Sequence, residues 1–237
     1  SRLCIFICFL GLWEGSARLG WIDSFFFSSP SRVFLCAYHM ALDQSLFAHI
    51  GITLFETIAS FVLVLFFALV ITIILWFNKK VSETLEPYLV ILNSLPKSAL
   101  APLLIVWLGA NYNTIIITGI SVAVFGSILS LYTSFQSIDP EKIKLIQTLG
   151  GTKYHILTKV IIPASIPSFF SIMKVNIGLC LVGVIIGEFI SSRQGLGYLI
   201  IYGSQVFKLD WVIMSIVILC LLAWGLYSLL SHLEKRY

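Results

Sequence analysis

Apolar residues fill six long runs along the chain, and polar residues gather between them. The runs cover residues 3–21, 51–77, 85–108, 114–135, 164–190 and 211–230. A helix needs roughly 20 such residues to cross a hydrocarbon core of about 30 Å, and most of these runs reach that length. Inside lipid each backbone N–H and C=O must find its partner within the protein, so runs of this kind are expected to be α-helical. No ten-residue segments of strict alternation suggest a barrel. The pattern predicts an all-α integral membrane protein of about six transmembrane helices. Pro96 and Pro102 each remove a helix hydrogen bond from the third run, so a break is expected there. The first run could serve as a signal-peptide core, but no small-x-small cleavage site follows it, and it is read as the first span.

One stretch departs from the pattern. Residues 137–167 read SIDPEKIKLIQTLGGTKYHILTKVIIPASIP, with four lysines, a Gly-Gly and prolines inside an otherwise apolar chain. Asp139 is a good helix cap, Pro140 a good first helical residue, and Glu141 suits the positive end of the helix. Gly150 or Gly151 can take the left-handed conformation that stops it. A helix of about ten residues, roughly 15 Å long, is expected. Ile143 and Ile146 stand three apart and Leu145 and Leu149 four apart, which builds an apolar surface beside Lys142 and Lys144. Thr152 can cap a second short helix, which Pro163 is expected to end. Such a knob either lies on lipid headgroups, with its lysines meeting anionic lipid, or docks on a protein.

Composition strengthens the membrane reading. The 237 residues are 59% hydrophobic and 11% charged, with mean hydropathy +1.00, whereas soluble domains are about one quarter charged. A net charge of +4 would suggest nucleic acid in a soluble protein, but here the basic residues lie between spans and report orientation instead. With the N-terminus inside, nine of the 15 lysines and arginines fall on the inner side, four on the outer side, and Lys97 and Lys174 within spans. Both termini and the 137–163 loop are therefore expected in the cytoplasm. No nucleic-acid partner is expected.

Chemistry-bearing constellations are sparse. Five cysteines, Cys4, Cys8, Cys36, Cys180 and Cys220, are odd in number and show no CxxC spacing, so packing is their expected role. The histidines form no HExxH pattern, and no metal site is expected. No GxxxxGK[ST] loop is present, so nucleotide chemistry belongs elsewhere and the chain is expected to be non-catalytic. The candidate pathway or gate residues are those polar or helix-breaking groups that fall inside apolar runs: Glu56, Pro96, Lys97, Lys174 and Glu188. An uncompensated charge at that depth costs on the order of 3 kcal/mol, so Lys97 either lines a route or snorkels to the surface.

The sequence TLGGT at 148–152, followed by VIIP at 160–163, resembles the cytoplasmic EAA loop of binding-protein-dependent ABC transporter permeases. Gly150, Val160, Ile162 and Pro163 match its glycine, aliphatic, leucine and proline positions. The Glu-Ala-Ala positions read Lys144, Leu145 and Ile146, a departure that alters the loop's anchoring glutamate. LPKSALAPLLIVWLG at 95–109, GEFISSRQGLGYLI at 187–200, LWEGSARLGWID at 12–23 and HIGITL at 49–54 resemble the branch that carries nitrate, sulfonates, taurine and bicarbonate.

The resemblance implies a type I importer architecture, with residues 1–48 as a first helix and external connection and 49–237 as the permease domain. It also implies partners: ATPase subunits that bind ATP and Mg, a second permease copy or paralogue, and an external substrate-binding protein, all at a bacterial inner membrane. In that family the loop helix seats in the ATPase, which would place Lys144, Leu145, Ile146, Leu149, Gly150, Val160, Ile162 and Pro163 at or near the contact. Lys174 stands where the family often has arginine, and Glu56 where relatives often carry a basic residue. Glu188 matches the acidic position of GEF, a candidate for the outer gate or for contact with the binding protein. An ion-coupled secondary transporter is the alternative; it calls for an internal repeat and clustered midplane charges, and no clear repeat is present.

Overall fold

The computed structural model describes residues 2–21, 23 and 27–236; Ile22, within the 12–23 match, lies outside them. Among the described residues the regular structure is entirely helical. Two helices, α1 (Arg2–Arg18) and α2 (Pro30–Leu42), lead into the long α3 (Ser45–Phe77). Next come α4 (Lys79–Ser94), α5 (Lys97–Leu108) and α6 (Tyr112–Gln136), then the short α7 (Pro140–Thr148) and α8 (Lys153–Ile156). A π-helical turn, Leu157–Ile161, passes directly into α9 (Ile162–Ser191), and α10 (Leu196–Gln205) and α11 (Leu209–Glu234) complete the chain.

Among the described residues, four helices are each long and apolar enough to span a membrane: α3, α6, the continuous helix Lys153–Ser191, and α11. The α4–α5 pair makes a fifth if it is counted as one broken span, because the two helices meet at 95°. The break follows from Pro96. The residue before a proline is pushed out of the helical region, and Leu95 is extended with ψ 142°. Pro102, expected to break the same run, sits inside α5 without ending it. The first run forms a helix of 17 residues, about 26 Å at 1.5 Å per residue, which is short of the hydrocarbon thickness. Glu14 ties it to α2, accepting from Ser31 N at 3.1 Å.

Packing explains the arrangement. Val64 and Ala68 of α3, Ala123 and Ile128 of α6, and Cys180 of α9 form a core closed to solvent, which Leu230 of α11 joins. The backbones of α6 and α9 touch: a Cβ added to Gly183 would lie 2.8 Å from the Gly119 Cα. Small residues at such crossings let membrane helices gain dispersion contacts where no hydrophobic effect drives them together. A second cluster seats α10 between α9 and α11 through Leu181, Leu196, Leu199 and Met214. Large apolar side chains such as Phe55, Phe66, Leu221 and Trp224 remain on the outside of the bundle, which suits a lipid or protein surround.

Pro163 does not end the second loop helix as expected. The π turn widens the helix one residue earlier, with Ile162 N donating to Leu157 O, and so loosens the turn into which the proline ring would otherwise press. The helix therefore runs unbroken from the loop into the bundle.

Candidate functional site

The loop at one end of the bundle is built from its caps inward. Asp139 Oδ1 accepts from Glu141 N at 2.9 Å and starts α7. At the other end Gly150 has φ +77°, and Gly151 N donates back to Ile146 O at 2.8 Å, the double-back that satisfies the last carbonyls of a helix. The two glycines do different work. Gly150 supplies the left-handed backbone, while a Cβ on Gly151 would lie 2.7 Å from Ile146 O. The next cap is reciprocal: His155 N donates to Thr152 Oγ1 at 3.5 Å and Thr152 N donates to His155 Nδ1 at 3.2 Å.

This capped helix has two apolar sides. Ile143 and Ile146 pack inward on Phe135, Ile156, Leu157 and Ile161, together with Ile73 and Trp76 from α3. Leu145 and Leu149 point away, 59% and 75% exposed, between exposed Lys142 and Lys144. Ile146, expected with the outward group, thus belongs to the inward anchor, because the helical period separates it from Leu145 by one position. Val160 is half-buried, and Ile162 and Pro163 are exposed at the start of α9. Tyr154, 64% exposed on α8, adds an aromatic that sequence reasoning passed over.

The opposite end holds Glu188 in a cage. Its Oε1 accepts from Thr53 Oγ1 at 2.6 Å and its Oε2 from Gly197 N at 2.6 Å. Thr53 Oγ1 also accepts from Leu196 N at 2.8 Å, and Gly195 N donates to His49 Nδ1 at 2.9 Å. Gly195 has φ +113°, and a Cβ there would fall 2.4 Å from the carboxyl. The GLG turn, which carries no phosphate-loop signature, wraps the protein's own carboxyl group. Glu56 and Glu188 are both fully buried, so neither lines an open route in this conformation. The role of Thr53 in joining α3 to this turn could not be read from spacing, since its partners are more than 130 residues away.

Lys97 does not reach for a surface. Its Nζ donates to Val122 O at 2.6 Å and to Asn93 Oδ1 at 3.3 Å, which pins the α4–α5 bend to α6. Lys174 pairs with Glu234 at 2.7 Å, joining α9 to the end of α11. Near this pair, Ser130, Ser134, Ser168 and Ser171 line a groove of about 490 Å³ between α6 and α9. The signal for it lay in the sequence as hydroxyls at helical spacing on two successive spans. Among the described residues no group of three or more His, Cys, Asp or Glu side chains comes together.

Known proteins are similar to this chain in sequence and in fold. The family described as binding-protein-dependent transport system inner membrane component matches residues 64–237. A probable ABC transporter permease protein of Haemophilus influenzae is 28% identical over 96% of this chain and 92% of its own length. A putative aliphatic sulfonates transport permease protein of Bacillus subtilis is 24% identical over 96% of this chain and 82% of its own. In fold, the chain is similar to the MetNI methionine ABC transporter in inward-facing conformations, with TM-score 0.64 and 18% identity over 77% of this chain and 93% of that one. With the matched region covering every spanning helix from the middle of α3 onward, the chain belongs to the family of binding-protein-dependent transport system inner membrane components.

Proposed function

We propose that this permease works as the membrane subunit of an ATP-driven importer, pairing with a second permease subunit to form the route for a small solute. An external binding protein delivers the solute, and ATPase subunits on the cytoplasmic side bind ATP and Mg and supply the energy. Residues 49–237 form the permease domain, in a bacterial inner membrane with both termini inside. The observation that carries this reading is the exposure of Leu145 and Leu149 on a helix capped at both ends and bolted to the spans through Ile143 and Ile146. Exposed leucines on a rigid helix suit insertion into an apolar groove, and the inward isoleucines give a path for the resulting force. Lys144, Gly150, Val160, Ile162 and Pro163 shape or border that knob. The relative whose name concerns aliphatic sulfonates points to small organic anions as the first solutes to try.

Co-purification tests the assembly. Affinity capture of the tagged chain is expected to bring down an ATPase in stoichiometric yield, and an added thiol reagent is expected to reach a cysteine placed at Lys144 only from the cytoplasmic side. A permease that transports with no ATPase bound, or a loop labelled from outside, would remove the proposal.

A further inference from the structure

Both carboxyl oxygens of Glu56 are sealed from solvent, and no described N–H or O–H donates to them. The hydroxyls on the same helix are committed elsewhere. Thr57 Oγ1 donates to Thr53 O at 2.7 Å, and Ser60 Oγ serves the backbone carbonyls of Glu56 at 2.7 Å and Ile116 at 3.1 Å. Thr53 Oγ1, less than one turn before Glu56 on the same face of α3, donates to Glu188 at 2.6 Å, and this brings the Glu188 carboxyl of α9 beside that of Glu56.

Among the described residues, the surrounding elements supply no compensating cation. On α3 the titratable neighbour is His49, whose Nδ1 is occupied with Gly195 N. The turn after α9 carries Arg193, which is exposed and lines a separate cavity with Asn111 and Tyr112. The α10 turn adds Tyr198, stacked on His49. On this side α6 brings Ile115 and Gly119 against α9 and α3, neither of them ionisable.

Two adjoining carboxylates removed from water would repel each other and lose their hydration together. They would also be two acceptors with nothing to share. One proton resolves both problems, since it cancels one charge and turns one acceptor into a donor. The donor arrangement says which group holds it. Glu188 has a hydroxyl or amide donor on each oxygen, the surroundings of an anion; Glu56 has none, the surroundings of an acid that donates.

We propose that Glu56 binds one proton and donates it to the Glu188 carboxylate, so that a shared proton fastens α3 to α9 and to the 195–198 turn. The proton comes from water when the helices close, and its loss leaves two abutting anions that push this end of the bundle apart. The proposal does not depend on what the permease carries.

The test compares the full chain in lipid nanodiscs with the Glu56→Gln variant, whose amide can donate to Glu188 yet has no proton to lose. Wild type is expected to show an infrared band of a protonated carboxyl that disappears in Glu56→Gln. Its unfolding midpoint is expected to fall by roughly 5 °C from neutral to alkaline buffer while that of the variant stays level, because folding takes up a proton and rising pH opposes it. No band lost in the variant, or an equal alkaline decline in both proteins, overturns the proposal. So does rescue of alkaline stability by sodium or potassium at fixed pH, which would make the bound species a metal cation.

Discussion

Truncating the outward leucines separates a docking surface from a structural one. Leu145→Ala with Leu149→Ala removes three carbons from each side chain, worth about 2.4 kcal/mol apiece when fully buried. Only the area now exposed is available to a partner. Scaled by exposures of 59% and 75%, the two sites offer about 1.4 and 1.8 kcal/mol. Together that is about 3 kcal/mol, or roughly 200-fold in affinity at 1.4 kcal/mol per tenfold. The fold itself should barely notice, since exposed substitutions usually shift stability by about 0.5 kcal/mol or less. Lys144→Glu alters a solvent-screened charge and is expected to cost at most about 1 kcal/mol of docking, near fivefold. The assay is titration of the purified ATPase onto the permease in nanodiscs, with a thermal unfolding curve for each variant. A double-alanine variant that binds within threefold of wild type, with Lys144→Glu the weaker binder, would refute the apolar knob.

Gly150→Val forces a β-branched residue to φ +77°, a strain of about 1 to 3 kcal/mol, and is expected to uncouple ATP hydrolysis from uptake in proteoliposomes or to block assembly; unchanged coupling would count against the loop's role. Gly183→Val drives a side chain into the Gly119 backbone and is expected to cost about 1 to 3 kcal/mol, read as a lowered unfolding midpoint. A double-mutant cycle of Lys174→Met and Glu234→Gln should return a favourable coupling, because the two groups pair at 2.7 Å; a coupling near zero would make the pair incidental.

What could be read in advance was local in origin. The start of α7 at Asp139 and Pro140 and its stop at Gly150 depend on capping within one turn, and both were visible as residue order. The side that each loop residue presents was not. Ile146 and Leu145 look equivalent as apolar letters, yet the ends of α3 and α6 lie under only one of them. Of the prolines expected to break or end a helix, only Pro96 does so. Pro96 breaks its helix because Leu95 goes extended, whereas Pro102 is carried within α5 and Pro163 is relieved by a π turn. Glu56 and Glu188 stand far apart in the sequence, and their meeting depends on the register of α3 against α9, which neither segment encodes by itself.

The passage of one helix from the loop to the caged carboxyl has a geometric consequence. Lys153–Ser191 spans 39 residues, or about 58 Å along its axis. Pivoted at the π turn, the arm from Ile162 to Glu188 is about 40 Å long and swings its tip by about 3.5 Å for a tilt of about 5°. A small rocking of α8 would therefore be magnified where Glu188 meets α3, and the widened turn at Leu157–Ile161 sits at the fulcrum.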